Sequence, residues 1–402
     1  MPKVTFQYED GTSTIVDVTA GENLLEVARK ANVAIDAPCS GNGSCGKCRV
    51  RYISGELESE QTRHITDEDY AAGWRLSCCS KVTGDVTVLV PDIASAYKSR
   101  MKVADLSSPE EVAIFDRAKQ DVADAGITFE NEFTVVELQM TAPSLDDTMP
   151  DNERLSWAIE AATGIENVKL TYQVLKKLPD ALRDNDFHVN VVLKKLHHSV
   201  LVYDVVPVTE QRICGAAIDI GTTTVSGVIL DLRDGTILAK ASAGNGQIRY
   251  GADVINRIIE SAKPGGRRRL QKAIIDETIN PLIQQMCRAA KFPNKQIYRM
   301  CVAGNTTMNH LFAGVNADPV RMEPYIPTFY KTNSLYASDL GLTVNPDAHI
   351  IIAPNIGSYV GGDITAGTLV SMLWNKPEFS LFIDLGTNGE LVFGNSDFMM
   401  SC

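Results

Sequence analysis

The sequence contains no long apolar run. No stretch approaches the roughly 18 consecutive apolar residues that a membrane-spanning helix needs. The first residues, MPKVTFQYEDG, turn polar at once and hold no apolar signal core. The first absence excludes a membrane-spanning helix, and the second argues against a secreted protein. Together they make the cytoplasm the expected compartment.

Positive charge is also scarce. The 402 residues include 38 Lys and Arg against 50 Asp and Glu, a formal net charge of −12. Such a surplus of negative charge excludes general affinity for nucleic acid or for an anionic membrane surface. The remaining composition, 44% hydrophobic and 22% charged, is typical of a soluble globular protein. The length suffices for two or three domains with sizeable cores.

Cysteine, by contrast, is plentiful and patterned. Three of the nine cysteines, Cys39, Cys45 and Cys48, lie in the run APCSGNGSCGKCRV, and the next follow thirty residues later in RLSCCSKV. In a reducing compartment this usage indicates metal or redox chemistry rather than disulfides. The C-x5-C-x2-C spacing is close to the plant-type pattern of a [2Fe–2S] cluster. Zinc sites usually pair two C-x2-C knuckles, and the second knuckle is missing here.

The fourth cluster ligand is ambiguous, because Cys78 and Cys79 are adjacent. In the ferredoxins that this region resembles, the ligand follows a Leu-x pair, as Cys78 follows Leu76 and Ser77. We therefore predict Cys39, Cys45, Cys48 and Cys78 as the ligands, with Cys79 as the alternative. The loop glycines let the backbone curl around a cluster and aim amides at its sulfides.

A second motif, DIGTTT, follows a strand that reads as buried. Its residues are Asp219, Ile220, Gly221, Thr222, Thr223 and Thr224. Glycine permits a tight turn and close approach of a phosphate, and the amides and hydroxyls of the threonines can surround anionic oxygens. An aspartate at the end of the strand can hold Mg²⁺ directly or through water. A single Asp-x-Gly-Thr is also an ordinary turn, so this motif alone is only moderately specific.

A second copy of that motif strengthens the phosphate interpretation. It contains Asp384, Gly386, Thr387 and Asn388, and its aspartate lies 165 positions after Asp219. Two such hairpins could hold phosphates from opposite sides of a cleft.

Three further segments have two readings each. In VAGNTTM, the residues Gly304, Asn305 and Thr306 can contact a ligand or start a helix, with Asn305 as its cap. Asp253 can orient water in a cleft, although capping of the helix that follows it is the favoured role. Residues 360–363 can form a flexible crossing between subdomains or a turn.

Changes of pattern predict a multidomain α+β and α/β protein. The expected units are a small α+β domain at 1–92, a linker with a helix at 93–125, an α+β middle domain at 126–210, and an α/β domain at 211–402 whose first subdomain reaches about residue 375. Within them we expect helices at 152–162, 172–182, 251–262 and 267–290, of which the second could instead begin as a strand. The middle domain shows no chemical motif, which predicts a packing or docking role.

The paired hairpins resemble the superfamily of actin, sugar kinases and heat-shock chaperone ATPases. In that superfamily they are the first and second phosphate motifs of two related subdomains. The resemblance implies ATP and Mg²⁺ as ligands, with Asp219, Asp384 and Asp253 as candidate catalytic residues. The adenosine motif of the superfamily lies further on, so we expect the actin-like ATPase domain to be incomplete at Cys402.

The combination of both halves resembles one family, the reductive activators of corrinoid-dependent enzymes. The motifs that carry this resemblance are APCSGNGSCGKCRV, RLSC, AIDIGTTT, YGADVINRI, VAGNTTM, VGGDITAG and FIDLGTNGE. The chain departs from the family in ending early and in the doubled Cys78 and Cys79. The resemblance implies a β-grasp ferredoxin domain and ATP-coupled one-electron reduction of Co(II) to Co(I) in a corrinoid protein. It further implies a ferredoxin or flavin reductase as electron donor, and it allows a homodimer.

Three alternatives stay open. The first is an ATP-dependent activator of a radical dehydratase, although such activators hold a [4Fe–4S] cluster between two subunits and have no ferredoxin domain. The second is an electron-transfer module fused to a sugar or acyl kinase, for which no substrate-pocket motif is present. The third is a non-catalytic redox sensor that only binds nucleotide and cluster.

Overall fold

The computed structural model describes residues 1–9, 11–31, 33, 35, 37, 41, 43–91, 109–129, 132–251, 253–333, 335–386 and 389–402, with no side-chain description for 109–111. Residues 93–108, about half of the expected linker, therefore lie outside the described residues. In the described part of the chain, no helix is long and apolar enough to cross a membrane.

The N-terminal region is a five-stranded mixed sheet crossed by one main helix. Its elements are β1 (Lys3–Tyr8), β2 (Ser13–Asp17), α1 (Leu24–Lys30), β3 (Arg49–Ser59), α2 (Asp67–Ala71), β4 (Trp74–Leu76), a 3₁₀ turn (Ser77–Cys79) and β5 (Ser80–Val90). The strand order is β2–β1–β5–β3–β4, and the β1–β5 pair is parallel. This order is the β-grasp arrangement that was expected.

Helix α1 begins at Leu24 because Asn23 caps it. The Asn23 carboxamide oxygen accepts hydrogen bonds from the amides of Leu25 and Glu26. The apolar face then packs on the sheet, where Val4 and Phe6 of β1 are fully buried.

Helix α3 (Pro109–Asp124) connects this region to the next one. Its residues 112–117 are exposed, whereas Val122 is buried. The Lys119 ammonium donates a hydrogen bond of 3.1 Å to the carbonyl of Asp234 in the turn at residues 232–234. The helix therefore rests on the large C-terminal region.

The middle region has a four-stranded sheet in the order β6–β8–β9–β7, covered by two helices. Its elements are β6 (Phe133–Gln139), α4 (Asp151–Thr163), β7 (Val168–Leu170), α5 (Tyr172–Arg183), β8 (His188–Leu196) and β9 (Ser199–Pro207). Both helices were predicted within one residue at each end. Strand β7 was not predicted, because three residues are too few to show an alternating pattern.

A second five-stranded sheet follows, in the order β12–β11–β10–β13–β14. Its strands are β10 (Cys214–Ile220), β11 (Thr224–Asp231), β12 (Ile237–Gly244), β13 (Ile297–Gly304) and β14 (His349–Ile352). Strand β10 pairs parallel with β13 and β13 parallel with β14, whereas β11 and β12 are antiparallel. The largest apolar core of the protein lies on this sheet.

Helices cover this sheet and connect its strands. They are α6 (Val254–Ala262), α7 (Gly266–Ile274), α8 (Asn280–Ala290), α9 (Thr306–Phe312), α10 (Asp318–Arg321) and α11 (Ala337–Leu340). The helix expected at 267–290 contains a π-helical turn (Ile275–Ile279) between α7 and α8. Pro281, the second residue of α8, follows this turn. Proline has no backbone N–H, and the first turn of a helix tolerates that loss.

The last region is an antiparallel sheet of β15 (Ser380–Leu385), β16 (Gly389–Gly394) and β17 (Met399–Ser401). Helix α12 (Gly362–Ser371) packs between it and β13. Helix α12 lies close to the β15–β17 sheet at Gly367, where an added Cβ would lie 2.5 Å from the Phe382 ring. A flexible crossing at 360–363 was one of the two expectations. In the structure, Gly362 begins α12 and Gly361 packs directly on the backbone of Gly304 and Asn305.

A buried carboxylate joins the middle region to the large sheet. Asp204, which is 4% exposed, accepts hydrogen bonds from the Tyr298 hydroxyl at 3.0 Å and from the Asn345 amide at 3.3 Å. The Phe133 ring contacts Tyr203 edge-on beside this bond. The two regions therefore share a packed and hydrogen-bonded interface.

Replacement of Tyr298 by Phe is expected to lower the free energy of unfolding by about 1–3 kcal/mol, because the buried Asp204 carboxylate loses a donor. Urea denaturation measures the change. Tyr203→Phe is the matched control, since the Tyr203 hydroxyl has no hydrogen bond among the described residues. Equal effects of the two substitutions would contradict this account.

Candidate functional site

Two of the predicted cluster ligands lie next to each other. The Sγ atoms of Cys48 and Cys78 are 3.2 Å apart. Two thiolates bound to one tetrahedral metal at ~2.3 Å would lie ~3.7 Å apart, so the pair is close to the spacing of two ligands on one iron. Cys45 is half-buried, and Cys39 lies outside the described residues.

The chemistry of the donors fits an iron–sulfur cluster. Thiolates are soft ligands that select iron–sulfur clusters, zinc or Cu(I). The Cys48 and Cys78 thiols share one hydrogen bond, which lowers the pKa of Cys48 and raises the pKa of Cys78. Across the described residues, no group of three or more His, Cys, Asp or Glu side chains is assembled as a closed metal site. The fourfold ligand set therefore stays a prediction.

The backbone around these thiols needs glycine. Gly41 has φ +93°, and a Cβ there would lie 3.1 Å from Leu25. Gly46 has φ +65°, and a Cβ there would lie 2.6 Å from the Cβ of His64. Other residues rarely adopt this left-handed conformation, so the tight loop depends on glycine.

The turn that carries Cys78 is held on two sides. The Asn23 side-chain amide, which belongs to the α1 cap, donates to the Cys78 carbonyl at 2.8 Å. The amide of Ser77 donates to the Cys48 carbonyl at 2.9 Å. Cys78 and Cys79, whose Sγ atoms are 3.6 Å apart, both line a surface cavity of about 300 Å³, but only Cys78 has its Sγ beside that of Cys48. The contact with Cys48 therefore favours Cys78 over Cys79 as a ligand.

The second candidate site is a cleft of about 470 Å³ between the two C-terminal sheets. Its lining consists of Asp219, Gly221, Thr222, Ala303, Asn305, Asp363, Ala366, Gly367, Phe382, Ile383, Asp384, Gly386 and Glu390. Both predicted phosphate motifs therefore contribute to one cavity.

Parallel strand pairing brings these residues together. Asp219 and Ile220 of β10 stand opposite Ala303 and Gly304 of β13, so both strands end at the same edge. The residues that follow, Gly221 and Asn305, then face one cleft.

Six of the predicted residues line this cleft, namely Asp219, Gly221, Thr222, Asn305, Asp384 and Gly386. Five others do not, namely Thr223, Thr224, Gly304, Thr306 and Asp253. Thr387 and Asn388 lie outside the described residues.

Asn305 and Asp253 both cap helices, as one of their two readings predicts. The Asn305 oxygen accepts from the Met308 amide at 2.9 Å, while its nitrogen lies 3.4 Å from the Thr222 hydroxyl. Asp253 accepts from the Asn256 amide at 2.8 Å and caps α6. The fully buried Thr306 donates instead to the carbonyl of Gly357.

Two acidic residues of the cleft were not predicted as site residues. Asp363 is the second residue of α12, and Glu390 stands directly opposite Asp384 in the β15–β16 hairpin. The hairpin register was a usable signal, because the turn in DLGTNGE returns the chain and places the glutamate beside the aspartate.

The cleft thus gathers four carboxyl groups. Burial and the nearby charge of Asp384 raise the pKa of Asp219 to about 6. Burial also raises the pKa of Asp363 to about 6, with added repulsion from Asp219, Glu390 and Asp384. Carboxylate oxygens are the donors that Mg²⁺ takes, and a cation here would relieve this repulsion. Among these described residues no three carboxyl groups form a closed metal site, but Mg²⁺ is usually held by one or two carboxylates together with phosphate oxygens, so the residues fit a divalent cation beside a phosphate.

Asp219→Asn is expected to stabilise the metal-free protein by roughly 1 kcal/mol at pH 7.5, a figure that allows for solvent screening in an open cleft. A carboxyl group with a raised pKa in the folded state destabilises that state as pH rises from about 4 through about 6. Thermal unfolding from pH 4 to 8 should therefore show a weaker decline in the variant. Asp116→Asn, on the exposed face of α3, is the control. A loss of stability at pH 7.5 in Asp219→Asn would refute the prediction.

Cys78→Ser is expected to lose or alter the cluster, whereas Cys79→Ser should retain it. The reason is that Cys78 and not Cys79 contacts Cys48. Iron and sulfide content, visible absorption and the electron paramagnetic resonance spectrum of the reduced protein measure the outcome. The opposite pattern, with a normal cluster only in Cys78→Ser, would assign the ligand to Cys79.

Three family models match the chain in sequence order. They are the 2Fe-2S iron-sulfur cluster binding domain at residues 7–83, the RACo linker region at 122–211 and the RACo middle region at 214–376. The N-terminal match supports a [2Fe–2S] cluster as the cofactor of that domain. The N-terminal region alone is also 43% identical over 77 residues to a glycine betaine monooxygenase reductase subunit of Pseudomonas aeruginosa, covering 19% of this chain and 21% of that protein.

Two similar proteins cover nearly the whole chain. The corrinoid activation enzyme RamQ of Eubacterium limosum is 37% identical over 390 residues, which are 95% of this chain and 58% of RamQ. The solved structure of a reductive activator for a corrinoid,iron-sulfur protein is 34% identical with a TM-score of 0.57, and the match covers 100% of this chain and 63% of that one. The chain thus spans about three fifths of the length of each. By sequence and by the order of its regions, the chain is therefore similar over nearly its whole length to these two corrinoid activators, as its motifs indicated.

Proposed function

We propose that this protein returns one electron to the Co(II) form of a corrinoid protein and couples that step to ATP hydrolysis. The observation that carries the proposal is the presence, on one chain, of the Cys48–Cys78 thiol pair and an acidic cleft built from two glycine-threonine hairpins. The first suits an electron carrier, and the second suits a metal-bound nucleotide. The names of the two long relatives indicate a corrinoid protein as the acceptor.

The electron balance explains why a nucleotide is needed. A [2Fe–2S] cluster held by Cys39, Cys45, Cys48 and Cys78 would supply one electron, with a potential near −400 mV for plant-type clusters. Co(I) is a stronger reductant still, and each ~59 mV of deficit lowers a one-electron equilibrium constant tenfold. ATP hydrolysis to ADP and phosphate is the proposed source of the missing free energy.

We assign the cleft to an actin-like ATPase fold. Each of the two sheets contributes an aspartate at the end of a strand followed by a glycine turn, at Asp219 and Gly221 and again at Asp384 and Gly386. The carboxylates would hold Mg²⁺, and the two turns would take the phosphates from opposite sides. In this proposal the ferredoxin, linker, middle and ATPase units keep the bounds 1–92, 93–125, 126–210 and 211–402.

Coupling requires that nucleotide and partner prefer the same arrangement of the two sheets. Phosphates between the hairpins would draw the β15–β17 sheet toward the β10–β14 sheet, with α12 between them. The closed form would bind the corrinoid protein and remove a ligand from Co(II), which raises its potential. The ferredoxin unit, on its linker, then delivers the electron. A ferredoxin or flavin reductase in the cytoplasm would reload it, and the proposal allows a homodimer.

The test mixes anaerobically reduced protein with a Co(II) corrinoid protein and follows cobalt absorbance with and without MgATP. Co(I) should form at least tenfold faster with MgATP. Asp384→Asn should keep the cluster spectrum and lose this stimulation, whereas Asp397→Asn, in the exposed turn after β16, should keep both. Equal Co(I) formation without ATP would overturn the coupling, and none under any condition would overturn the acceptor.

A further inference from the structure

We infer that Asn245 and Arg257 are positioning residues that aim the backbone amides of the first glycine-threonine turn into the cleft. The inference rests on the proposed nucleotide site, and it concerns two residues behind the loop rather than in the cleft lining. Neither residue belongs to a phosphate motif.

Three successive carbonyls of the loop are held from behind. The Asn245 side-chain amide donates to the Gly221 carbonyl at 2.8 Å. The Arg257 guanidinium donates through Nη2 to the Thr222 carbonyl. The backbone amide of Asn245 donates to the Thr223 carbonyl at 2.8 Å.

This arrangement decides where the amides of the loop point. In a planar trans peptide the carbonyl and the following N–H point in opposite directions. With the carbonyls of Gly221 and Thr222 drawn backward, the N–H groups of Thr222 and Thr223 are directed to the other side of the loop. That side is the cleft, which Gly221 and Thr222 line. Successive amides aimed at one point form an anion-binding concavity.

The residues that hold the loop from behind are fully enclosed by protein. Arg257 and Gln247 are 0% exposed, and Asn245 is 2% exposed. Arg257 also donates to the Gly251 carbonyl at 2.8 Å and lies 3.4 Å from the Gln247 side-chain oxygen. Burial of a cation is unfavourable unless hydrogen bonds compensate for the lost water, and these acceptors supply them. The enclosed charge lies behind a loop whose front faces four carboxyl groups, where it favours anionic phosphate.

The helix cap at Asp253 helps to place Arg257 behind the loop. It starts α6 at Val254, and the Arg257 amide donates to the Asp253 carbonyl at 3.2 Å in the first turn. This start brings the Arg257 side chain behind the loop. Asp253 thus affects the cleft indirectly, because the start of α6 fixes the position of Arg257.

The test compares MgATP binding by wild-type protein, Asn245→Asp, Arg257→Lys and Arg257→Met. Asn245→Asp keeps the shape of the side chain but replaces the donor that faces the Gly221 carbonyl. Arg257→Lys keeps the charge but loses the planar fork that reaches both Thr222 and Gly251. Arg154→Met is the matched control, because Arg154 is also buried and donates to backbone carbonyls, but lies in the middle region.

Calorimetry should show a 10- to 100-fold weaker affinity for MgATP in the three site variants and an unchanged affinity in Arg154→Met. Hydrogen exchange supplies a second readout that a purely structural role would not move. MgATP should protect the amides of peptides spanning 219–225 in wild-type protein and not in Asn245→Asp or Arg257→Lys, while exchange in β13 without ligand stays the same.

Two results would overturn the inference while leaving the proposed function intact. One is wild-type affinity and protection in both Asn245→Asp and Arg257→Lys. The other is an equal loss of affinity in Arg154→Met, which would reduce the effect to general destabilisation. A wild-type protein that binds no MgATP would overturn the proposed nucleotide site itself, and the inference with it.

Discussion

The parallel pairing of β10 with β13 is the interaction on which the cleft depends. Its register sets Asp219 opposite Ala303 and Ile220 opposite Gly304, so that two strands end together. A shift of one residue would turn Asp219 to the other face of the sheet. The close approach of Gly361 to Gly304 and Asn305 then places the start of α12, with Asp363, at the same edge. Helix α12 in turn positions the last sheet and Asp384.

The charged groups at this edge of the sheet determine what the cleft can bind. Four carboxyl groups face one cavity, and burial, with added repulsion between them, raises the pKa values of Asp219 and Asp363 to about 6. The enclosed Arg257 lies on the other side of the turn, where it holds a carbonyl. Acidic groups for a cation and backbone amides for an anion therefore meet at one loop, as a metal-bound phosphate requires.

The thiol site depends on a separate set of contacts. The cap of α1 serves twice, because Asn23 accepts from the first amides of the helix and donates to the Cys78 carbonyl. This contact fixes the 3₁₀ turn that brings the Cys78 thiol to Cys48. Replacement of a single polar side chain there would thus affect both the helix start and the ligand position.

The sequence by itself determined the local elements and the two motifs. Glycine, threonine and aspartate at the end of a strand predicted the turn at 219–224, and the cysteine spacing indicated the cluster, because both signals are local. Only the tertiary structure decided which distant groups join them. Glu390 faces Asp384 through hairpin register, Asp363 reaches the cleft through helix packing, and Asn245 and Arg257 reach the loop from later segments. Glu390 was missed although its hairpin register with Asp384 was a usable local signal. Contacts between segments far apart in the chain leave no periodic or spacing signal in a single sequence, which is why Asp363, Asn245 and Arg257 were missed.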